Sequence, residues 1–345
     1  LCRLFFQHLA LCHTVEVERV TKRDPDTGAI KEVLDANTGE PATTLSAASP
    51  DEQALVAAAK YFGFEYVRND VQDGFYRIVS AKDPSTGNCH DMRFELVAIN
   101  EFTSKRKRMS VIVKEPEGYH LYIKGADNVI IERLKKCDGI EEKIEALSEQ
   151  VESLAGDGLR TLVLGHKWIK EEDFQEWSVK MQRVEAMQEE QAKRRKHLPN
   201  MIDDTIDEIE HDIDLIGATA IEDKLQKDVP DTIASLAVAG IKIWILTGDK
   251  QDTAINIGFA CQLLRQDMDL HIVNGTMASK GADASKVTPS AMHDILKRLS
   301  KKLDNLPKNG SPEQALVIDG VALEVIFHDS IHLPNNNVGE KNKLE

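Results

Sequence analysis

The sequence of 345 residues lacks the features of several large protein classes. No apolar run approaches the roughly 18 residues that span a bilayer. The five cysteines are odd in number and never spaced as Cys-x-x-Cys, which argues against a disulfide framework or a zinc knuckle and favours a reducing compartment. Gly-x-x-x-x-Gly-Lys-Ser/Thr, Gly-x-Gly-x-x-Gly and His-Glu-x-x-His motifs are all absent. The common nucleotide-loop and zinc-protease interpretations therefore fail.

Positive charge is also scarce, since 43 Lys and Arg stand against 58 Asp and Glu, a net charge of −15. Nucleic-acid phosphates bind basic surfaces, so this balance argues against nucleic acid as a partner. A local basic cluster therefore stands out. The fractions of hydrophobic (41%) and charged (29%) residues are those of a globular protein. At roughly 150 residues per domain, the length predicts two domains.

The first part of the chain has the local signals of an α+β domain. Ser49-Pro50-Asp51-Glu52 has the pattern of a helix start, in which Ser49 is the N-cap, Pro50 takes the first helical position and Glu52 closes a capping box. β-rich runs near residues 75–79, 93–99, 109–113 and 120–123 predict an antiparallel sheet, and a further strand is predicted at 160–164. The charged residues 167–214 are interpreted as solvated helices and a connector.

From residue 215 the pattern changes to alternating strands and helices. Strands are predicted at residues 215–220, 241–246 and 315–318, and helices at 229–239 and 253–264. Largely apolar strands that alternate with helices indicate a doubly wound parallel sheet. We therefore predict two domains, residues 1–214 and 215–345, and we expect only part of the latter domain to be present.

Thr247-Gly248-Asp249 lies between an apolar run and the start of a predicted helix. In α/β sheets this position binds anions, because the helix N-terminus offers free N–H groups to phosphate. Thr247 would donate its hydroxyl, Gly248 would let the backbone approach, and Asp249 could direct a cation. The alternative is an ordinary turn in which Asp249 caps the helix. The residues alone do not separate the two.

Residues 102–110 combine an aromatic residue with four consecutive basic ones, at a junction between two strands. An aromatic face beside cations suits a nucleotide, although a solvated basic hairpin with Phe102 in the core would have the same sequence. Lys124 ends a predicted strand and could contact phosphate, or could simply be solvated. Glu52 could be only a member of the capping box, and Arg160 only a salt-bridge partner at a strand edge.

Several stretches together resemble the cytosolic half of a P-type ATPase, and specifically the phospholipid-flippase subfamily. They are residues 5–15, 49–56 (SPDEQALV), 106–111 (RKRMSV), 124–127 (KGAD), 157–162 (DGLRTL), 221–226 (IEDKLQ) and 241–258 (IKIWILTGDKQDTAINIG). The last stretch is highly specific. The stretches stand in the family's order and extend over most of the chain.

The resemblance implies that the first domain is a nucleotide-binding domain with an antiparallel sheet. Phe102 would stack on adenine, Glu52 and Ser104 would line the base pocket, and Lys124 and Arg160 would approach the base, ribose or phosphates. ATP would be the bound nucleotide.

The resemblance further implies that the second domain is part of a haloacid-dehalogenase-like phosphorylation domain. Thr247, Gly248 and Asp249 would hold the γ-phosphate, with Mg²⁺ as the bridging ion. The whole pump would form an aspartyl-phosphate and move a phospholipid between leaflets. Its membrane segments would contact the lipid, an accessory subunit is a further candidate partner, and this part of the membrane protein would face the cytoplasm.

Two motifs of the family are missing from this sequence, namely Asp-Lys-Thr-Gly-Thr and Gly-Asp-Gly-x-Asn-Asp. The resemblance places them before and after the residues present. We therefore expect this chain by itself to bind nucleotide without forming a phosphoenzyme. Two other hypotheses remain open, a cation pump of the same superfamily and a nucleotide-binding module without turnover.

Overall fold

The computed structural model describes residues 1–23, 30–34, 39, 41–47, 49–71, 74–196, 198–222, 225–248, 251–275, 289–306 and 313–332. The helices are α1 (Cys2–Leu11), α2 (Pro50–Tyr61), α3 (Asp127–Ile131), α4 (Ile140–Gly156), α5 (Glu171–Glu185), α6 (Gln188–Arg195), α7 (Met201–Ile209), α8 (Val229–Val238), α9 (Gln251–Ala260), α10 (Pro289–Asp304) and α11 (Gly320–His332). The strands are β1 (Glu16–Arg19), β2 (Thr21–Arg23), β3 (Ile30–Glu32), β4 (Thr43–Ser46), β5 (Phe64–Asp70), β6 (Tyr76–Lys82), β7 (Cys89–Asn100), β8 (Arg108–Glu115), β9 (Gly118–Gly125), β10 (Arg160–Ile169), β11 (Asp214–Ile221), β12 (Asp269–Val273) and β13 (Gln314–Ile318). All five cysteines are free thiols.

A seven-stranded antiparallel sheet is the frame of the first 222 residues. Its strand order is β11-β10-β9-β8-β7-β6-β5. Helices α1 and α2 cover one face, and α3, α4, α5 and α7 cover the other. Because both faces are covered, β8 is buried at six successive residues, 108–113. The predicted antiparallel sheet is confirmed.

Strand β11 belongs to this antiparallel sheet. The prediction that residues 215–220 start a parallel sheet is wrong, since β11 pairs antiparallel with β10, from Arg160 opposite Ile221 to His166 opposite Asp214. An apolar strand pattern reports burial and not the direction of pairing, so sequence could not separate the two cases. The described residues of 1–155 and 159–222 form one compact unit, and those of 156–158 and 223–345 form another. The boundary predicted from the sequence lies earlier, after residue 214.

Residues 167–214 are part of the first unit. Their predicted helices are present as α5, α6 and α7, but the interpretation of this segment as solvated helices and a connector is wrong because it contributes to the core. Residues 167–169 extend β10. Helix α7 buries Ile202, Ile206 and Ile209, which are spaced so that they share one helical face. They pack in the two cores that contain residues of α5. Because acidic residues lie between these isoleucines, the overall composition of the segment gives no sign that the helix has an apolar face.

The second unit contains a parallel strand pair, β12 and β13. Helix α10 lies between them in the chain and packs against α11 through a core that includes Val273, Met292 and Ala322. The Asp319 carboxylate accepts hydrogen bonds from the N–H groups of Gly275 (2.9 Å) and Ala322 (2.7 Å). Asp319 therefore caps α11.

Residues 241–246 form no strand in the structure, so this prediction is wrong. Trp244 is 79% exposed and Leu246 is 90% exposed. A strand needs a neighbour to hydrogen-bond its backbone, and the described residues place none beside this run.

Every helix in the described part of the chain is too short or too polar to cross a bilayer.

We expect mild acid to destabilise the first unit because of His8. The ring is fully buried under the sheet, its Nε2 hydrogen-bonds the Ile123 carbonyl oxygen (2.9 Å), and its Nδ1 has no partner among the described residues. Burial, with the nearby charge of Lys124, lowers the pKa of His8 to about 3. At pH values between the usual pKa of 6.5 and about 3, His8 is protonated in the unfolded chain but neutral in the folded protein. His8 by itself should therefore lower the free energy of unfolding by about 2 kcal/mol from pH 7.5 to pH 5, in addition to any loss from His13 and His166, whose pKa values burial also lowers.

Urea denaturation of the wild type and of His8→Gln at both pH values measures this effect. Glutamine retains an N–H group for the Ile123 carbonyl and does not titrate, so its stability should depend less on pH. His90→Gln, on the exposed part of β7, is the control and should behave like the wild type. Equal pH dependence in the wild type and His8→Gln would contradict the prediction.

Candidate functional site

The predicted nucleotide-site residues of the first unit lie at one end of the antiparallel sheet. Residues 101–107 form the turn from β7 to β8, and Arg108 at the start of β8 lies opposite Gly125 at the end of β9. Gly125 lies opposite Val163 of β10, close to Arg160 at the start of that strand. The turn, the end of β9 and the start of β10 are therefore adjacent.

Lys124 and Glu52 form a buried ion pair at this end of the sheet. Lys124 Nζ lies 2.9 Å from Glu52 Oε1, and the two side chains are 6% and 13% exposed. The other carboxylate oxygen accepts hydrogen bonds from Thr14, from its hydroxyl (2.6 Å) and its backbone N–H (3.1 Å). Because both partners are almost fully withdrawn from water, the interpretation of Lys124 as a solvated lysine is wrong.

The carboxylate of Glu52 does not close a capping box. Ser49 is the N-cap of α2, as predicted, and its Oγ accepts from the Asp51 N–H (3.3 Å). Glu52 instead points to Lys124 and Thr14. Burial acts to raise the pKa of Glu52, but the Lys124 ammonium and the Thr14 hydrogen bonds outweigh it and hold this pKa below its usual value. Glu52 is thus a carboxylate at neutral pH.

Asp51 and Arg160 form a second ion pair beside the first. The shortest N–O distance is 3.0 Å, and the side chains are 25% and 37% exposed. The N-terminal turn of α2 therefore holds a residue at the end of β9 through Glu52 and a residue at the start of β10 through Asp51. Two carboxylates and two cations alternate on this face of the sheet, where Arg160 is the more accessible cation.

Phe102 and Ser104 lie on the exposed turn from β7 to β8. Phe102 is 57% exposed, so the alternative that places it in the core is wrong. The turn is closed by two hydrogen bonds to Thr103, from the Arg106 N–H to Oγ1 (3.2 Å) and from the Lys107 N–H to the carbonyl (2.8 Å). An aromatic ring that is open to solvent on an ordered turn is available for stacking on a base.

Two of the four basic residues in this stretch are not surface cations. Arg106 and Arg108 are each 5% exposed, and both pair with the fully buried Glu210. Arg108 also contacts Asp207 (2.5 Å). These two residues are therefore neither cations available to a nucleotide phosphate nor part of a solvated basic hairpin. Neither Asp207 nor Glu210 is predicted from the sequence, because nothing in the local sequence of an acidic helix shows which cations its carboxylates will contact.

In the second unit, Thr247 and Gly248 are exposed residues of the irregular segment that precedes α9. Asp249 lies outside the described residues. The structure therefore gives no geometry for a γ-phosphate site at these three residues. Among the residues that the structure describes, no three His, Cys, Asp or Glu side chains form a group that could hold a metal ion.

A match to a known protein family gives the class of this protein. The family model for the P-type ATPase cytoplasmic domain N matches residues 30–228, which contain the whole seven-stranded antiparallel sheet and the two ion pairs. The chain therefore belongs to the P-type ATPase family.

Individual relatives point to one branch of that family. The phospholipid-transporting ATPase DNF1 of Chaetomium thermophilum is 39% identical over 342 residues, which are 95% of this chain and 20% of the relative. The human phospholipid-transporting ATPase ID is 37% identical over 92% of this chain and 24% of the relative. Phospholipid-transporting ATPase 6 of Arabidopsis thaliana is 36% identical over 95% of this chain and 24% of the relative. The chain thus spans about a quarter or less of these proteins' length.

Proposed function

We propose that this chain binds ATP and takes part in phosphoryl transfer within a phospholipid-translocating P-type ATPase that forms an aspartyl-phosphate. The observation that carries the nucleotide-binding part is the convergence of the Lys124–Glu52 and Asp51–Arg160 pairs with the exposed Phe102 turn at one end of the sheet. The phospholipid substrate is proposed from the names of relatives whose similarity covers 92–95% of this chain. An accessory subunit and a cytoplasm-facing position in a membrane protein belong to the same proposal.

The site has the chemistry that an adenine nucleotide requires. Phe102 offers a π-face to the base, with Ser104 on the same turn as a hydrogen-bonding group. Arg160 offers a planar guanidinium to ribose or phosphate oxygens. Lys124 presents an ammonium group at the end of β9, where Glu52 balances its charge and holds it in one position. The buried pair thus contributes a fixed position, and the exposed groups contribute direct contacts.

Mg²⁺ is proposed only as the ion that accompanies the nucleotide. Asp51 and Glu52, the carboxylates of this site, are already paired with Arg160 and Lys124, so they do not fit a cation site. We therefore assign no protein ligand to Mg²⁺. Thr247, Gly248 and Asp249 stay a proposed contact for the γ-phosphate, since they match the family's phosphorylation-domain sequence.

Titration of the purified chain with ATP, followed by calorimetry and by amide NMR shifts, tests nucleotide binding. We expect saturable binding, with shifts at the β7–β8 turn, at the end of β9 and at the start of β10. Absence of binding at millimolar ATP would overturn the proposal.

The translocase part of the proposal is tested with a chimera in which this chain replaces the matching segment of the Chaetomium thermophilum relative. Phospholipid-stimulated ATP hydrolysis by the chimera would support it, and an inactive folded chimera would count against it.

A further inference from the structure

The β7–β8 turn that presents Phe102 is held from the face of the sheet opposite to the Lys124–Glu52 pair. Arg106, near the end of the turn, donates from Nη1 to the Glu101 carbonyl at its start (2.8 Å). The other terminal guanidinium nitrogen of Arg106 bonds to Glu210 just after α7. One side chain therefore joins the beginning of the turn to a helix more than a hundred residues further along the chain.

Glu210 is the centre of this network. Its Oε2 accepts from Arg108 Nε (2.7 Å), and its Oε1 accepts from Ser110 Oγ (2.6 Å) as well as from Arg106. The Asn100 side chain donates to Ser110 Oγ (2.9 Å), so both strands that flank the turn are included. Glu210 is 0% exposed. A carboxylate with this many charge-assisted hydrogen bonds has a single well-defined position.

The backbone of the turn is also held at its far end. Lys107 has a left-handed conformation (φ +50°), and its carbonyl accepts from the Ala126 N–H (3.0 Å). Gly125 makes this approach possible, because a Cβ there would lie 2.8 Å from the Lys107 oxygen and 2.6 Å from Arg108 Cβ. A non-glycine residue in this conformation persists only where the surroundings impose it. Glu210, through Arg106, and the residues at the end of β9 thus restrain the two ends of the turn.

We propose that Glu210 is a positioning residue for the nucleotide site, which acts through Arg106 to hold Phe102 in the orientation that stacks on the base. This inference rests on the proposed function. Glu210 lies on the other face of the sheet and does not touch the nucleotide. Its contribution to affinity is the pre-organisation of the turn, since an ordered turn loses less conformational freedom when the base binds.

A double-mutant cycle separates this role from a purely structural one. We measure the ATP dissociation constant by calorimetry for the wild type, Glu210→Gln, Phe102→Ala and the double variant. Glu210→Gln should weaken ATP binding about fivefold when Phe102 is present and much less in the Phe102→Ala background, because the effects of two coupled residues are not additive. Glu190→Gln is the control, as Glu190 is also buried but caps α7 through the Met201 N–H (2.6 Å), far along the chain from the turn.

A charge-balanced variant, Arg106→Met/Glu210→Gln, controls for the possibility that Glu210→Gln alone does not fold. Glu210→Gln alone leaves two buried guanidinium groups without a carboxylate at this position. The double change removes one charge of each sign, Arg108 keeps Asp207, and the Arg106 Nε–H has no hydrogen-bond partner to lose among the described residues. Far-UV circular dichroism should show a folded protein. Amide exchange at residues 103–107 should be faster than in the wild type, and ATP binding weaker.

The outcomes distinguish this inference from the proposed function. A wild type that does not bind ATP overturns both. If the wild type binds and either Glu210 variant binds equally well, only the positioning role is overturned. Equal fold-changes for Glu210→Gln in the two Phe102 backgrounds also overturn it. If the charge-balanced variant does not fold, the network is assigned to stability and the positioning role is rejected.

Discussion

Phe102→Ala should weaken ATP binding by about 5- to 150-fold, which corresponds to the roughly 1–3 kcal/mol that stacking of a base on an aromatic side chain contributes. The same substitution should change the free energy of unfolding by less than about 0.5 kcal/mol, since the ring is 57% exposed. Calorimetric titration and urea denaturation measure the two quantities. A Phe in a core would give the opposite result, a loss of about 3–5 kcal/mol in stability.

Phe327→Ala is the matched control for this experiment. Phe327 is the same residue type with a similar exposure (63%), but it lies on α11 in the second unit. Its removal should leave both ATP affinity and stability near the wild-type values. Unchanged affinity in Phe102→Ala, or an equal loss in both variants, would show that Phe102 does not stack on the base.

Glu52→Gln should destabilise the protein by about 3 kcal/mol at neutral pH, because it leaves the buried Lys124 ammonium without its carboxylate. The difference from the wild type should shrink in acid. The pKa of Glu52 is lowered in the folded protein, so its contribution is complete above the ordinary value of 4.5 and disappears as the pH falls through the lower folded value. Urea denaturation at pH 7 and pH 3.5 gives both comparisons.

Asp51→Asn is the control for Glu52→Gln. Asp51 is the adjacent residue of α2 and also forms an ion pair, but its pair with Arg160 is more exposed to solvent than the Lys124–Glu52 pair. Exposed pairs contribute at most about 1 kcal/mol, so this variant should lose much less stability. If the two variants lose the same amount, burial of the Lys124–Glu52 pair does not determine its contribution.

The sequence predicted the elements that local patterns encode. The strand pattern of residues 109–113 and 120–123 depends on β-branched and aromatic residues between turn formers, and these strands are present. The start of α2 follows from the backbone chemistry of Ser49 and Pro50. The resemblance to the P-type ATPases indicated Lys124 and Arg160, which lie within the matching stretches, and Phe102, which lies four residues before one of them, as candidate site residues without any knowledge of their geometry. Each of these signals lies within a few neighbouring residues.

Only the tertiary structure decided which distant residues meet. The apolar pattern of β11 fits a parallel or an antiparallel sheet, and the neighbour β10 settles the choice. The same holds for charge. From the sequence alone, Arg106 and Arg108 fit a solvated basic turn, but in the folded protein both are buried as ion-pair partners of Glu210. Local sequence determines backbone preference and side-chain chemistry. The partner of a side chain, and thus whether a cation is available to a ligand, depends on long-range packing, which no local pattern encodes.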